Sequence, residues 1–376
     1  MYLPALPALV SDLNTTNILG QFTLTVWLLG TASFQLVLGP LSDIYGRRLV
    51  LLGGGLVFVM STIICALACD IRLLLIARFF QGSAVCSVVV AGYATIHDLY
   101  NHITAVRIIA LMGSIMVLGP ACGPLVGSLV LYLATWRYIF WILAIWAALA
   151  LLFLWKYMPE TAQVNREDQF SLCQLLMGYY AVLKNKNFMF NTLAYCLLFC
   201  GMITWSSSGP FLIIESFHYS SLVFSILQAT VYISFMLGSY YVLFNIKKIG
   251  TLKLIYLGLT CALVGSISML LSAILYPHYL VGTILGMMIF TGGAAVASPL
   301  HRVAVETSQE GMGTRIAIFS SAMSSFGALG SIVGSVFYRG TSFTLAIIIT
   351  LGTVLAIFLK WNISVKNQAT KQGSLA

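Results

Sequence analysis

Charge is what this sequence has least of. Only 8% of its 376 residues are charged, and just 10 of them are acids, where a soluble domain carries about 25% charged residues. No CxxC pair occurs among the 8 cysteines, and the 5 histidines show no metal-ligand spacing, so neither a redox motif nor a zinc site is indicated. There is no His/Asp/Glu cluster, nucleophile elbow or phosphate-binding loop, and an enzyme finds no support. The net charge of +9 does not point to nucleic acid, because the Lys and Arg residues sit in short gaps and form no stripe or helical face. No cofactor is implied.

What the chain has in abundance is apolar sequence, 60% of it, in runs of about 20 residues that suit a hydrocarbon core of ~30 Å. A transmembrane barrel would show alternating segments of about ten residues instead. The expectation is an all-α polytopic membrane protein. Spans are expected at 17–41, 48–69, 71–97, 104–133, 138–158, 188–214, 220–244, 252–276, 279–300, 314–337 and 342–361, eleven full helices after an initial apolar fragment. Placing the "YGRR" gap in the cytoplasm puts Arg47, Arg48, Arg107, Lys156, Arg166, Lys184, Lys186, Lys247, Lys248, Lys253, Arg315, Lys360, Lys366 and Lys371 on that side. Arg72, Arg137 and Arg339 fall outside, so the positive-inside rule is satisfied.

The longest polar gap divides the chain. It suggests an N-terminal bundle over 1–158, a cytoplasmic loop over 159–187, a C-terminal bundle over 188–362 and a cytoplasmic tail over 363–376. "SDIYGRRLVLL" in the first half and "NIKKIGTLKLI" in the second align when Gly46 is set on Gly250. Repeats of this kind mark secondary transporters.

Several residues carry possible chemistry. Asp43, Arg47 and Arg48 flank a glycine turn at a helix junction. They suit either a topology-fixing loop or a latch made in one conformation and broken in another. Arg78 lies about two turns into a span, where cations are costly and usually mark a pathway; the competing reading is a structural arginine bonded to backbone carbonyls. Gln81 shares its face. Gly119, Gly123 and Gly127 recur every fourth residue, which lets another helix approach closely, while Pro120 and Pro124 favour a kink on the same turns. Asp98 closes a span at its inner end and is either solvated or part of a charged network. Met112 and Met116, at i and i+4, offer flexible apolar surface for varied ligands or simply face lipid.

"GPLSDIYGRRLVLL", "RFFQG" (Arg78–Gly82) and "GSIMVLGPACGPLVG" (Gly113–Gly127) resemble, in order and position, motifs A, B and C of the major facilitator superfamily. The resemblance is strongest to its Bcr/CflA-like drug/proton antiporters and, within these, to the MdfA-type group. It implies a major facilitator fold of two six-helix bundles with the first helix truncated. The implied function is a proton-driven multidrug efflux transporter of the inner membrane. Its partners would be lipophilic small molecules, protons and the bilayer, and it would act as a monomer. A uniporter or metabolite transporter of the same fold, or an inactive remnant, are the alternatives.

The resemblance also assigns roles. Asp43, Arg47, Arg48, Arg78, Gln81 and Asp98 would serve proton coupling and gating, with Arg78 paired to an acid on the first helix. Tyr93, Met112, Met116, Met202, Ile203, Trp205 and Ser206 would line the drug pocket. Gly113, Gly119, Pro120, Gly123, Pro124 and Gly127 would form the antiporter motif, meeting the other half and sealing the outer side. "MYLPALPAL" resembles the second half of a first helix. The expectation is therefore a physiological start about 25–40 residues upstream, half a helix plus a short tail, bringing one or two further acids.

Overall fold

The computed structural model describes residues 1–161, 172–276 and 279–373, and all regular structure among them is helical. A single turn at Leu3–Ala5 leads into α1 (Leu6–Asp12), followed by α2 (Asn17–Tyr45), α3 (Arg47–Leu67) and α4 (Ile71–Ser87). A π-helical turn at Val88–Gly92 joins α4 to α5 (Tyr93–Leu99). Then come α6 (His102–Leu133), α7 (Arg137–Tyr157), α8 (Leu172–Lys184) and α9 (Lys186–Pro210), the last extended by a π-helical turn at Phe211–Ser216. The chain continues as α10 (Ser221–Ile249), α11 (Thr251–Leu275), α12 (Leu280–Val296), α13 (Pro299–Glu306), α14 (Met312–Phe337) and α15 (Ser342–Gly373).

Among the described residues ten helical stretches are long and apolar enough to cross a membrane, and α6 contributes a shorter apolar stretch, Leu118–Leu133. Four of the helices, α2, α4, α6 and α9, start at polar side chains that accept otherwise unpaired backbone N–H groups. Thr16 accepts from Leu19 N, Asp70 from Leu73 N at 2.8 Å, Asn101 from Thr104 N at 3.0 Å and Asn185 from Phe188 N at 3.1 Å.

The structure departs from the sequence expectation in four places. The polar gap holds a helix, α8. The span expected at 279–300 breaks at Ala297–Ser298, where Pro299 starts a new helix, α13. The last helix runs past the expected end at 361 into the expected tail, as far as Gly373. Lys360, assigned to the cytoplasmic side, is only 4% exposed within the last span, and its Nζ donates to Asn191 Oδ1 at 2.7 Å.

The chain forms two compact units, one of Met1–Cys173 with Ile213–Ala229 and one of Gln174–Leu212 with Thr230–Ala376. In the first, α4 packs on α2 and α3, and α3 also on α7. The α2–α4 contact is close because a Cβ at Gly82 would collide with the Trp27 carbonyl, and one at Gly30 with Phe79 O. In the second, α11 packs on α12, with Gly258 and Gly265 facing Gly293 and Gly286 across the contact. Each pair is seven residues apart, two helical turns, so one smooth stripe meets another.

The two basic loops share one geometry. Gly46 starts α3 with φ 95° and ψ 150°, and Gly250 starts α11 with φ 86° and ψ 154°. This region is nearly closed to residues with a Cβ, at a cost of order 1–3 kcal/mol. A Cβ at Gly250 would meet open space, whereas one at Gly46 would collide with the Glu160 carboxylate. Gly46→Ala should therefore lower the thermal unfolding temperature in detergent more than Gly250→Ala does. Equal shifts would contradict the role given to Glu160.

Candidate functional site

Arg78 opens the third turn of α4, 5% exposed, beside the Gly30–Gly82 contact that presses α4 against α2. That contact brings the guanidinium to the α2 backbone, where Nε donates to Thr23 O at 3.3 Å. Nη1 donates to Gln81 Oε1, one turn on. Gln81, itself buried, passes the chain on by donating Nε2 to Thr62 Oγ1 of α3 at 2.7 Å. The Arg78 guanidinium also lies 4.3 Å from the Tyr2 ring centroid and 5.9 Å from that of Trp27. Tyr2 OH accepts from Thr23 Oγ1 at 3.3 Å.

Three helices and the first turn of the chain thus converge on one cation. The groups holding it, where an acid of the first helix was expected, are a carbonyl, an amide and aromatic faces. Such partners satisfy the donors, and the ring quadrupoles favour the cation. They do not cancel its charge.

The helix ends around the Gly46 turn carry a second cluster. Arg47 Nε lies 3.6 Å from Asp98 Oδ2, and Arg47 Nη1 donates to Ser42 Oγ at 2.6 Å. Arg48 Nη2 donates to Trp155 O at 2.7 Å. Asp43 lies in the last turn of α2; its side chain is outside the described residues.

The organising residue is one that the sequence reading passed over, Glu160. Its carboxylate accepts from Arg47 N at 2.9 Å, Arg48 N at 3.2 Å and Thr161 N at 3.0 Å. An anion at a helix N-terminus satisfies orphan donors and meets the positive end of the helix dipole. Thr161 Oγ1 in turn donates to Asp98 Oδ2 at 3.1 Å. The ends of α2, α3, α5 and α7 are thereby joined through few atoms.

At the other ends of α3 and α7, Asp12 Oδ2 accepts from Arg137 and from Trp136 Nε1 at 3.0 Å. The Arg137 hydrogen bond, with help from Trp136, holds the Asp12 carboxyl below its usual pKa. Glu215 accepts from Asn17 Nδ2 at 2.7 Å. Arg302 and Glu306 pair at 2.6 Å on the exposed face of α13.

The glycines of α6 lie along one face, and the helix is continuous through Pro120 and Pro124. A Cβ at Gly123 would come within 3.0 Å of Met1 N, and one at Gly127 would collide with Met1 O, while Gly119 faces open space. The small-residue face therefore seats the first turn of the chain in the same unit. Pro124 O accepts from Ser225 Oγ at 2.9 Å. Gly113 lies in α6, its surroundings outside the described residues.

The pocket candidates form two groups. In the first unit Tyr93, re-aimed by the π-helical turn just before it, donates its hydroxyl to Met116 Sδ at 3.7 Å. Met112 is half-buried one turn earlier on α6, and Met116 is exposed. In the second unit Trp205, Met202 and Ser206 are buried and Ile203 half-buried. Ser206 Oγ donates to Met202 O at 3.0 Å and lies 3.3 Å from Tyr232 OH, a partner 26 residues away that no local pattern indicates.

Comparison with known proteins agrees with this geometry. Residues 1–331 match the Major Facilitator Superfamily. The multidrug resistance protein MdtM of Salmonella typhimurium is 28% identical, over 79% of this chain and 71% of its own. A chloramphenicol resistance protein of Pseudomonas aeruginosa is 32% identical over 94% of this chain and 84% of its own. The xylose transporter XylE from E. coli, in a partially occluded inward-open conformation, shares the fold with a TM-score of 0.71 at 15% identity, covering 96% of this chain and 93% of that one. With the whole of its first unit and most of its second inside the family match, this chain belongs to the Major Facilitator Superfamily and is a multi-pass inner-membrane protein that moves small molecules by secondary transport, not an enzyme.

Proposed function

We propose that the protein is a multidrug efflux transporter of the MdfA-type group, exchanging lipophilic compounds for protons by alternating access between two six-helix bundles. The observation that carries this is Arg78, a cation kept at membrane depth and held only by uncharged groups among the described residues. The relatives named for multidrug and chloramphenicol resistance support the substrate class. The field of a fixed guanidinium disfavours a second positive charge near it, whether proton or cationic drug, and so sets the two in competition. Proton entry and drug departure are linked through that field. The gradient supplies the work, ~2.3 kcal/mol per charge for each 100 mV.

In this reading Tyr93, Met112 and Met116 of the first unit contact drug, and so do Met202, Ile203, Trp205 and Ser206 of the second. Methionine and aromatic side chains accept varied shapes because they repack at little cost.

The Asp98–Arg47–Glu160 cluster serves as the inner latch. Its members are partly exposed, and a pair of this kind contributes only about 0–1 kcal/mol. A set of such weak bonds can break and re-form in every cycle.

Two outcomes follow. Everted vesicles should accumulate ethidium when energised, lose it on protonophore addition, and fail with Arg78→Ala at unchanged membrane levels; Arg78→Lys should retain part of the activity. Full efflux by the alanine variant would sink the coupling role. Glu160→Gln should slow exchange several-fold while leaving equilibrium drug affinity within about twofold, because its bonds go to the start of α3 and not to the pocket side chains. An affinity loss matching the rate loss would place Glu160 in the binding site instead.

A further inference from the structure

Three rings from three helices of the second unit pack on one another. His301 of α13 lies over Phe319 of α14, with ring centroids 4.2 Å apart and planes at 28°. Tyr195 of α9 stands 5.5 Å from the Phe319 ring and 6.2 Å from the imidazole. Phe319 is the buried floor, Tyr195 is half-buried, and His301 is the exposed end. Neither the imidazole nor the Tyr195 hydroxyl is hydrogen-bonded to another described residue. Polar groups with donor and acceptor capacity thus stand open beside an aromatic face.

The exposed end faces water. The exposed residues of α13 are His301, Arg302 and Glu306, all of them polar. The exposed sides of α11 and α14 bear large apolar residues instead. An exposed pair such as Arg302 with Glu306 would be costly in hydrocarbon. Tyr195 comes ten residues before Trp205 on α9, about 15 Å of helical rise. The three rings are therefore separate from the surface made by Met202, Ile203, Trp205 and Ser206.

The surrounding charge selects the ligand. Helices α9, α11, α14 and α15 carry no acid. Glu306, the acid of α13, is engaged by Arg302, and Glu310, ahead of α14, lies against Gly178 of α8. Two cations lie one helical turn from the rings. Arg315, one turn before Phe319, donates Nη1 to Val305 O and Ser308 O at 2.7 Å, bonds that leave its charge uncancelled. Lys360 is held by Asn191, one turn before Tyr195. The local field is positive and disfavours a cationic ligand.

We propose that Tyr195, His301 and Phe319 form a binding site for a planar aromatic compound bearing a neutral or anionic polar group. Its ring extends the stack at His301, and its polar group meets the Tyr195 hydroxyl. Use of the site as a station on an export path rests on the efflux reading above; binding does not.

The test uses the full chain with isotope-labelled histidine in nanodiscs, read by NMR of the imidazole signals. The His301 signal is the one lost in His301→Gln. The probes are para-nitrobenzyl alcohol, para-nitrobenzoate and tetraphenylphosphonium. The expected result is a saturable shift of the His301 signal with both nitroaromatics and none with the cation. Tyr195→Phe removes only the hydroxyl and should weaken both nitroaromatics about three- to tenfold. Phe319→Leu should weaken them by a similar factor. If the leucine variant does not fold, the hydroxyl variant decides. A His301 signal that neither nitroaromatic moves would overturn the proposal, and so would full affinity in Tyr195→Phe. A shift with the alcohol alone, or an equal shift with the cation, would overturn the charge preference. A saturable His301 shift in a chain that exports no drug from energised vesicles would uphold the site and overturn the efflux reading alone.

Discussion

One buried cation organises the first unit. A guanidinium at membrane depth must have its donors satisfied, because an unmet donor in a low-dielectric medium costs several kcal/mol. Arg78 meets that demand with the backbone of α2, the side chain of Gln81 and the ring of Tyr2. Each partner depends on a packing choice made elsewhere. Thr23 O is within reach because α2 and α4 touch at Gly30 and Gly82. Gln81 is held because Thr62 of α3 accepts its amide hydrogen. Tyr2 is placed because the first turn of the chain rests on Gly123 and Gly127 of α6. Motifs far apart in the sequence are thus parts of one support for one charge.

The helix ends around Gly46 obey a different rule. There the groups are partly solvated, and no single bond is strong. The rigidity comes from number: one carboxylate, Glu160, meets two backbone N–H groups at the start of α3, and Asp98 receives both Arg47 and Thr161. The glycine that permits the turn recurs at Gly250 with the same backbone conformation. A shared local geometry therefore survives in the two halves where their side chains have diverged.

Much of this was legible in the sequence. Apolar runs placed ten of the eleven expected spans to within a few residues, since length and composition decide whether a helix can cross a bilayer, while of the one expected at 104–133 only Leu118–Leu133 meets that measure among the described residues. Local spacing also indicated that Arg78 and Gln81 share a face, and that Gly46 and Gly250 are equivalent. What escaped were contacts made across long stretches of chain. Glu160 reads as an ordinary acid after a span, and only the fold brings it to residues 113 and 112 positions away. The π-helical turns at Val88–Gly92 and Phe211–Ser216 leave no hydrophobic signature. Lys360 follows the apolar core of its span and reads as a loop residue, yet Asn191 of another helix receives it inside the unit. α8 was hidden because its spacing is amphipathic and short, in a region that composition marks as polar.

The central claim is that drug and proton are exchanged through the field of Arg78. The most direct measurement is proton release on drug binding, read with a pH dye on purified protein in weakly buffered micelles. The account predicts that adding tetraphenylphosphonium releases protons from the unmodified protein, with a stoichiometry that falls as the pH is raised, and that Arg78→Ala releases none even where it still binds. Binding of the drug by the unmodified protein with no change in proton content at any pH would contradict it.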